Sequence, residues 1–148
     1  AVIGKAPGVN IRGVNYHGLS VEEANPQLAL RFADGAVVAS GTISFEAALY
    51  NTPSVVIYKL SPFTWFFAKR IAKVEYVSMP NLIAGRELFP ELLQEKATPE
   101  LVAANLQHLL ADEEKQDEIY SGMAEVQNAM GEPGAAKRAA KLILQKLE

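Results

Sequence analysis

What most constrains this chain is an alternation between residues 35 and 78: short, continuously apolar runs separated by segments with helical spacing. Gly35-Ala36-Val37-Val38-Ala39 and Val55-Val56-Ile57-Tyr58 are brief, rich in β-branched residues and without polar alternation, so each reads as a buried strand. Ser40-Gly41-Thr42 breaks the first. Ile43 to Leu49 then has helical spacing and stops at Asn51-Thr52-Pro53. Pro62 opens another helix that runs to about Lys73, and Val74 to Ser78 reads as a third short strand, stopped by Pro80. Strand, helix, strand, helix, strand implies an α/β fold of parallel strands joined by crossover helices.

The flanks are less regular. Val2 and Ile3 are strand-like from the start, and Pro7-Gly8 is a turn. Val9 to Tyr16 reads as a strand closed by His17-Gly18. Ser20 is expected to cap a helix from Val21, with Glu22 and Glu23 in its first turn and Pro26 inside it. The last third is helical. Thr98-Pro99 is an N-cap followed by proline at the first helical position, and Val102, Leu106, Leu109 and Leu110 form an apolar stripe. Asp112 to Glu118 is a charge run of the kind found on solvated helix faces. Gly131-Glu132-Pro133-Gly134 breaks the chain before a final helix carrying Ala135, Ala139, Leu142, Ile143 and Leu147.

Composition removes several classes of function. The chain has 148 residues, 49% of them hydrophobic, which is enough for one core. A net charge of −3 argues against a surface devoted to nucleic acid. With no cysteine, disulfides, thiolate metal sites and cysteine nucleophiles are excluded. The two histidines, His17 and His108, are far apart, so no histidine metal site is expected. No apolar run reaches the ~20 residues that a membrane span needs.

In a parallel sheet, ligands bind at the carboxyl ends of the strands. Ser40-Gly41-Thr42-Ile43-Ser44-Phe45-Glu46 occupies such a place. Gly41 permits close approach to the backbone, and the free amides of a helix start suit a phosphate. Thr42 and Ser44 add hydroxyls, and Glu46 is one turn on, within reach of a ribose diol. Equally, Thr42 is a plain helix cap and Glu46 an exposed acid. The run Ser78-Met79-Pro80-Asn81-Leu82-Ile83-Ala84-Gly85-Arg86-Glu87 is the second candidate. Asn81 donates and accepts, Gly85 permits close approach, and Arg86 has the fork for a phosphate. The alternative is a loop in which Asn81 caps a short helix. Tyr58, Lys59 and Ser61 follow a strand end and belong to the same cleft.

The third candidate is the helix from Pro62 to Lys73. Lys69, Arg70 and Lys73 fall within ~100° on a helical wheel, flanked by Trp65 and Phe66. Aromatics beside a basic stripe suit a bilayer surface or an acyl chain. A crossover helix with its aromatic face in the core is the other reading, and it is preferred for Phe63 and Phe67.

Taken together, these segments resemble the lipid A disaccharide synthases. The resemblance rests on Ala39-Ser40-Gly41-Thr42, Phe45-Glu46-Ala47 and Pro53-Ser54-Val55-Val56-Ile57-Tyr58-Lys59-Leu60-Ser61-Pro62. It rests most of all on the run from Lys73 through Pro80-Asn81-Leu82-Ile83-Ala84-Gly85-Arg86-Glu87 to Gln94, and it continues more loosely through Ala97-Thr98-Pro99-Glu100 to Gly134-Ala135-Ala136-Lys137-Arg138. It is close from about Asp34 to Gln94. Residues 1–33 match poorly, and 97–148 form a helical tail. Met79 and Phe45 stand where the family usually has leucine.

The resemblance implies the C-terminal, Rossmann-like domain of a GT-B glycosyltransferase, with residues 34–94 as its nucleotide-binding core. It implies transfer of 2,3-diacylglucosamine from UDP-2,3-diacylglucosamine to 2,3-diacylglucosamine 1-phosphate, giving a β-1,6 disaccharide and UDP. No metal or other cofactor is implied. By it, Glu46 holds the ribose and Ser40, Gly41 and Thr42 lie along the nucleotide. Asn81, Ala84, Gly85 and Arg86 sit at the diphosphate, with Glu87 and Gln94 near the sugar. Trp65, Phe66, Lys69, Arg70 and Lys73 are the residues expected to meet lipid at the cytoplasmic face of the bacterial inner membrane. The family's N-terminal domain supplies the acceptor site and the general base, so no catalytic residue is assigned here. The chain is expected to be incomplete, inactive alone, and prone to pair with itself or with the absent half through a bare sheet edge. Two other readings stay open: a different GT-B enzyme, transferase or epimerase, acting on a UDP-sugar, and a non-catalytic module that binds a membrane or a partner.

Overall fold

The computed structural model describes residues 1–6, 8–10, 18–61, 63–65 and 75–147. Its centre is a three-stranded parallel sheet of β3 (Ala36–Ala39), β4 (Ser54–Tyr58) and β5 (Glu91–Leu93), in the order β3-β4-β5. Val37 pairs with Val55, and Ile57 pairs with Leu92. Val55 and Val56 are neighbours in a strand and therefore point to opposite faces, yet both are 0% exposed. Both faces of β4 are thus covered, which explains an apolar run without polar alternation.

Helix α2 (Thr42–Leu49) crosses from the end of β3 back to the start of β4, and Ala47 and Ala48 bury completely beneath it. Asn51, in the left-handed conformation, turns the chain out of that helix. After β4 the chain leads to α3 (Met79–Ala84), β5 and a 3-10 turn (Gln94–Lys96). Then come α4 (Pro99–Ala111) and α5 (Glu113–Ala129). The Thr98 hydroxyl accepts the Leu101 amide, and an Asp112 carboxylate oxygen accepts the Lys115 amide, so both helices start on true caps. The charge run from Asp112 therefore straddles a helix junction. Ile119, Met123 and Val126 are the buried stripe of α5, and they meet Phe89, Leu88 and α2 in one core. The α/β architecture with parallel strands and crossover helices is the one expected.

Two expectations fail. The third strand, expected at 74–78, is not found at the described residues 75–78. The partner of β4 is β5, thirteen residues further on. Pro80 does not stop a strand; it lies in the first turn of α3, where a missing amide costs nothing. Nor does a helix begin at Val21. Ser20–Glu22 is β2, pairing in parallel with β1 (Val2–Gly4) in a separate two-stranded sheet. Helix α1 (Pro26–Arg31) begins at the proline itself. The physical reason is the proline ring, which clashes with a preceding helical turn and so sets the earliest start. The strand expected at 9–16 and the helix running to Lys73 fall for the most part outside the described residues, as does His17.

Helix α6 (Ala135–Leu147) differs from the rest: every position from 135 to 146 is exposed, with Leu142, Ile143 and Leu144 more than 60% so.

Candidate functional site

The carboxyl ends of β3, β4 and β5 carry Ser40, Lys59 and Gln94. At the end of β3 the Ser40 amide continues the ladder to the Ile57 carbonyl at 3.1 Å, and its hydroxyl donates to the Val77 carbonyl at 3.0 Å. Gly41 follows with φ 138° and ψ −156°, a region open in practice only to glycine. A β-carbon placed there would meet nothing within 4 Å. The Gly41 carbonyl accepts both the Ser44 amide at 3.2 Å and the Ser44 hydroxyl at 2.7 Å, and this pins the first turn of α2. The amides of Thr42 and Ile43 have no partner within the helix. Thr42 is exposed and Glu46 is half-buried on the same helix. The first loop thus offers two amides outside the helix's own bonding, an open face and an acid one turn away.

The second loop is built differently. Asn81 is fully buried. Its nitrogen donates to the Phe89 carbonyl and to Glu91 Oε1, both at 2.8 Å. Its oxygen accepts the amides of Leu88 at 2.9 Å and Phe89 at 2.8 Å. An amide side chain has two N–H groups and two lone pairs, so Asn81 has nothing left to give. Glu91 accepts the amide of Val77 on Oε2 and that of Ser78 on Oε1, each at 2.9 Å. The two loops meet at Val77, bonded to Ser40 through its carbonyl and to Glu91 through its amide. Among the described residues, Ser78 Oγ is the one buried side-chain oxygen or nitrogen without a partner.

Gly85 closes α3 in the left-handed conformation with open space around it, next to half-buried Ala84. Beyond it Arg86 turns towards α5 and forms a two-pronged ion pair with Glu125, at 2.7 and 3.0 Å. The hydrogen bond to Glu125 raises the Arg86 pKa, and the same bond lowers that of Glu125. Helix α3, six residues and about 9 Å of rise, separates Arg86 from Val77 along the chain. Glu87 is exposed, its carboxylate only 3.5 Å from the Glu91 amide. Tyr76, nearby, has its phenol pKa pushed up, first by desolvation and then by the Glu75 carboxylate.

Gln94 closes the third strand end. It is nearly buried and holds φ 51°, unusual for a residue with a side chain. Its Oε1 accepts the Leu60 amide at 3.0 Å, joining the ends of β4 and β5. Beyond Leu60, the Ser61 hydroxyl accepts the Thr64 amide at 3.1 Å and caps a helical turn. That turn carries Phe63, 75% exposed, and half-buried Trp65. Phe66, Lys69, Arg70 and Lys73 lie outside the described residues.

The structure therefore gathers Ser40, Gly41, Thr42 and Gln94 at the strand ends, with Glu46 one turn into α2. It uses Asn81 inside the protein and directs Arg86 to α5. Sequence reasoning missed Glu91 and Val77. The available signal was a carboxylate inside the otherwise apolar run Phe89-Pro90-Glu91-Leu92-Leu93, where an acid needs partners. His108 lies 3.8 Å from Asp112 on an exposed face, away from these loops. Among the described residues no cluster of metal-ligating side chains is present, and no helix is long and apolar enough to cross a membrane.

A family model described as lipid-A-disaccharide synthetase matches residues 11–146. The chain is similar to the lipid-A-disaccharide synthase of Erwinia tasmaniensis, 48% identical over 66% of this chain and 26% of the relative. It is 40% identical to that of Trichlorobacter lovleyi over 80% of this chain and 31% of the relative. Against that of Myxococcus xanthus it is 43% identical over 78% of this chain and 30% of the relative. The chain thus spans under a third of the length of these relatives.

Proposed function

Because the chain belongs to the lipid-A-disaccharide synthetase family, we propose that it is the donor-binding portion of such a glycosyltransferase. Its substrate is UDP-2,3-diacylglucosamine. The sugar passes to 2,3-diacylglucosamine 1-phosphate with release of UDP, and the general base and acceptor site come from sequence outside this chain. Residues 34–94 form the nucleotide-binding core, and the 148 residues alone do not catalyse transfer.

The observation that carries this reading is the open start of α2. Gly41 leaves room for a ligand against the backbone, and the Thr42 and Ile43 amides face an anion with the helix dipole behind them. As the sugar bond breaks, negative charge grows on the departing UDP, and fixed amides are suited to hold it. Glu46, one turn on, accepts the ribose hydroxyls. Gln94 and Glu87 serve the sugar side. In this reading Asn81, Ala84 and Gly85 shape the diphosphate site rather than spend free groups on it, and Arg86 must leave Glu125 to reach a phosphate. Trp65 with Phe66, Lys69, Arg70 and Lys73 meets the lipid at the inner face of the inner membrane. Assembly is with a second copy or with the rest of the synthase.

Thermal unfolding with and without UDP tests the reading. At ~100 times its dissociation constant, UDP stabilises the chain by ~2.7 kcal/mol. Glu46→Ala abolishes that shift. A cooperative transition that UDP does not move, in the parent chain, overturns the assignment of a self-contained donor site.

A further inference from the structure

Glu91 stands at the head of β5, two places from the end of the strand, and nothing in the nucleotide reading uses it. Three N–H groups converge on its two oxygens: the Val77 amide on Oε2, and the Ser78 amide and the Asn81 side chain on Oε1. Among the described residues no Lys, Arg or His forms an ion pair with it. A carboxylate here is thus answered by donors of fixed direction, and such charge-assisted bonds are roughly twice as strong as neutral ones. The anchored segment, 75–78, carries no helix or strand of its own. Held at its amide by Glu91, Val77 presents its carbonyl to the Ser40 hydroxyl at 3.0 Å. Ser40 in turn precedes Gly41, whose unusual backbone opens the start of α2. A continuous run of hydrogen bonds therefore joins the head of the edge strand β5 to the loop at the end of β3.

We infer that Glu91 is a positioning residue for the donor site: its carboxylate fixes the Val77–Ser78 turn, and through Val77 it fixes Ser40 and the start of α2. This rests on the nucleotide reading above. The geometry suits an acid better than an amide. A carboxylate is acceptor-only, with room for all three donors. Glutamine has one oxygen, so its NH2 group would be set against the Val77 amide or the Ser78 amide. The size and packing stay the same, but one contact turns from attractive to repulsive.

The experiment compares Glu91→Gln with the parent chain and with Leu109→Val, a core change on α4 away from this loop. Amide hydrogen exchange at Val77 and Ser78 and UDP affinity are both read. In Glu91→Gln at least one of the two amides exchanges markedly faster. UDP binding weakens by about tenfold, the ~1.4 kcal/mol at the low end for a stranded amide, because the ligand now has to restore the loop. Leu109→Val leaves affinity within about twofold at equal or greater loss of stability. Unchanged exchange at both amides overturns the anchoring. Faster exchange with UDP affinity equal to the parent's overturns the positioning role. A parent chain that binds no UDP overturns the nucleotide reading, and the role in donor binding with it, while exchange still decides whether Glu91 anchors the turn.

Discussion

Where Gly41 leaves space at the end of β3 that no atom fills within 4 Å, Asn81 in α3 is enclosed and has used every donor and acceptor it owns. Both segments follow the same recipe: a small or turn-forming residue, a proline or glycine, a hydroxyl or amide, a helix start. The first bonds Ser40 and Ser44 inward but keeps Gly41 and Thr42 exposed, because α2 is long enough to bury Ala47 and Ala48 and be held from behind. The second has only six residues of helix and no apolar stripe of comparable depth, so polar bonds to Phe89 and Glu91 hold it instead. A polar side chain in a ligand loop is free to bind only when something else secures the loop.

Asn81→Leu tests this contrast most severely. It strands the Leu88 and Phe89 amides and the Phe89 carbonyl in the interior, at ~1–3 kcal/mol each. A stability loss of at least ~3 kcal/mol is expected by denaturant titration, and a loss below ~1 kcal/mol would mean that the loop is secured elsewhere. Gly122→Ala comes next. A β-carbon there runs into the Leu88 side chain and crowds Arg86, so ~1–3 kcal/mol of overpacking is expected. That separates the support α5 gives the second loop from the bonds within it. Gly41→Ala sharpens the other side of the comparison. No clash arises, but the backbone region is strained for any side chain, at ~1–3 kcal/mol. UDP affinity is expected to fall while the core stays folded, and equal losses in Gly41→Ala and Asn81→Leu would erase the distinction between the loops.

The smallest effect belongs to Arg86 and Glu125. The Glu125 pKa is lowered by its bond to Arg86, and that of Glu118 by its bond to Lys115, from an ordinary value of 4.5. A depressed folded-state value means the contribution is fully present above pH 4.5 and is lost as the pH falls through the folded value. Both pairs are well exposed, so the effect is slight and salt reduces it. Glu125→Gln should flatten the stability profile below pH 4.5. In the nucleotide reading it should also free Arg86 and strengthen UDP binding.

The first two strands and the turn after the first were legible for the same reason. Val55-Val56-Ile57-Tyr58 declares a doubly buried strand, and Ser40-Gly41-Thr42 at the end of Ala36–Ala39 has the residues a strand-to-helix turn requires. The third strand was not. Glu91–Leu93 is three residues long and begins with an acid, so it lacks the apolar signal that residues 74–78 carry more strongly. What makes it a strand is its pairing with β4, more than thirty residues away.

By itself the sequence determined the parallel α/β class, the turns at Gly41 and Asn51, and the cap at Thr98. These depend on backbone preference and apolar period, which act over a few residues. Only the tertiary structure decided that Glu91 gathers the amides of Val77 and Ser78, that Asn81 turns inward and that Arg86 reaches Glu125. A polar side chain bonds to whichever partner packing brings within about 3 Å, and that partner's distance along the chain leaves no local trace in the sequence.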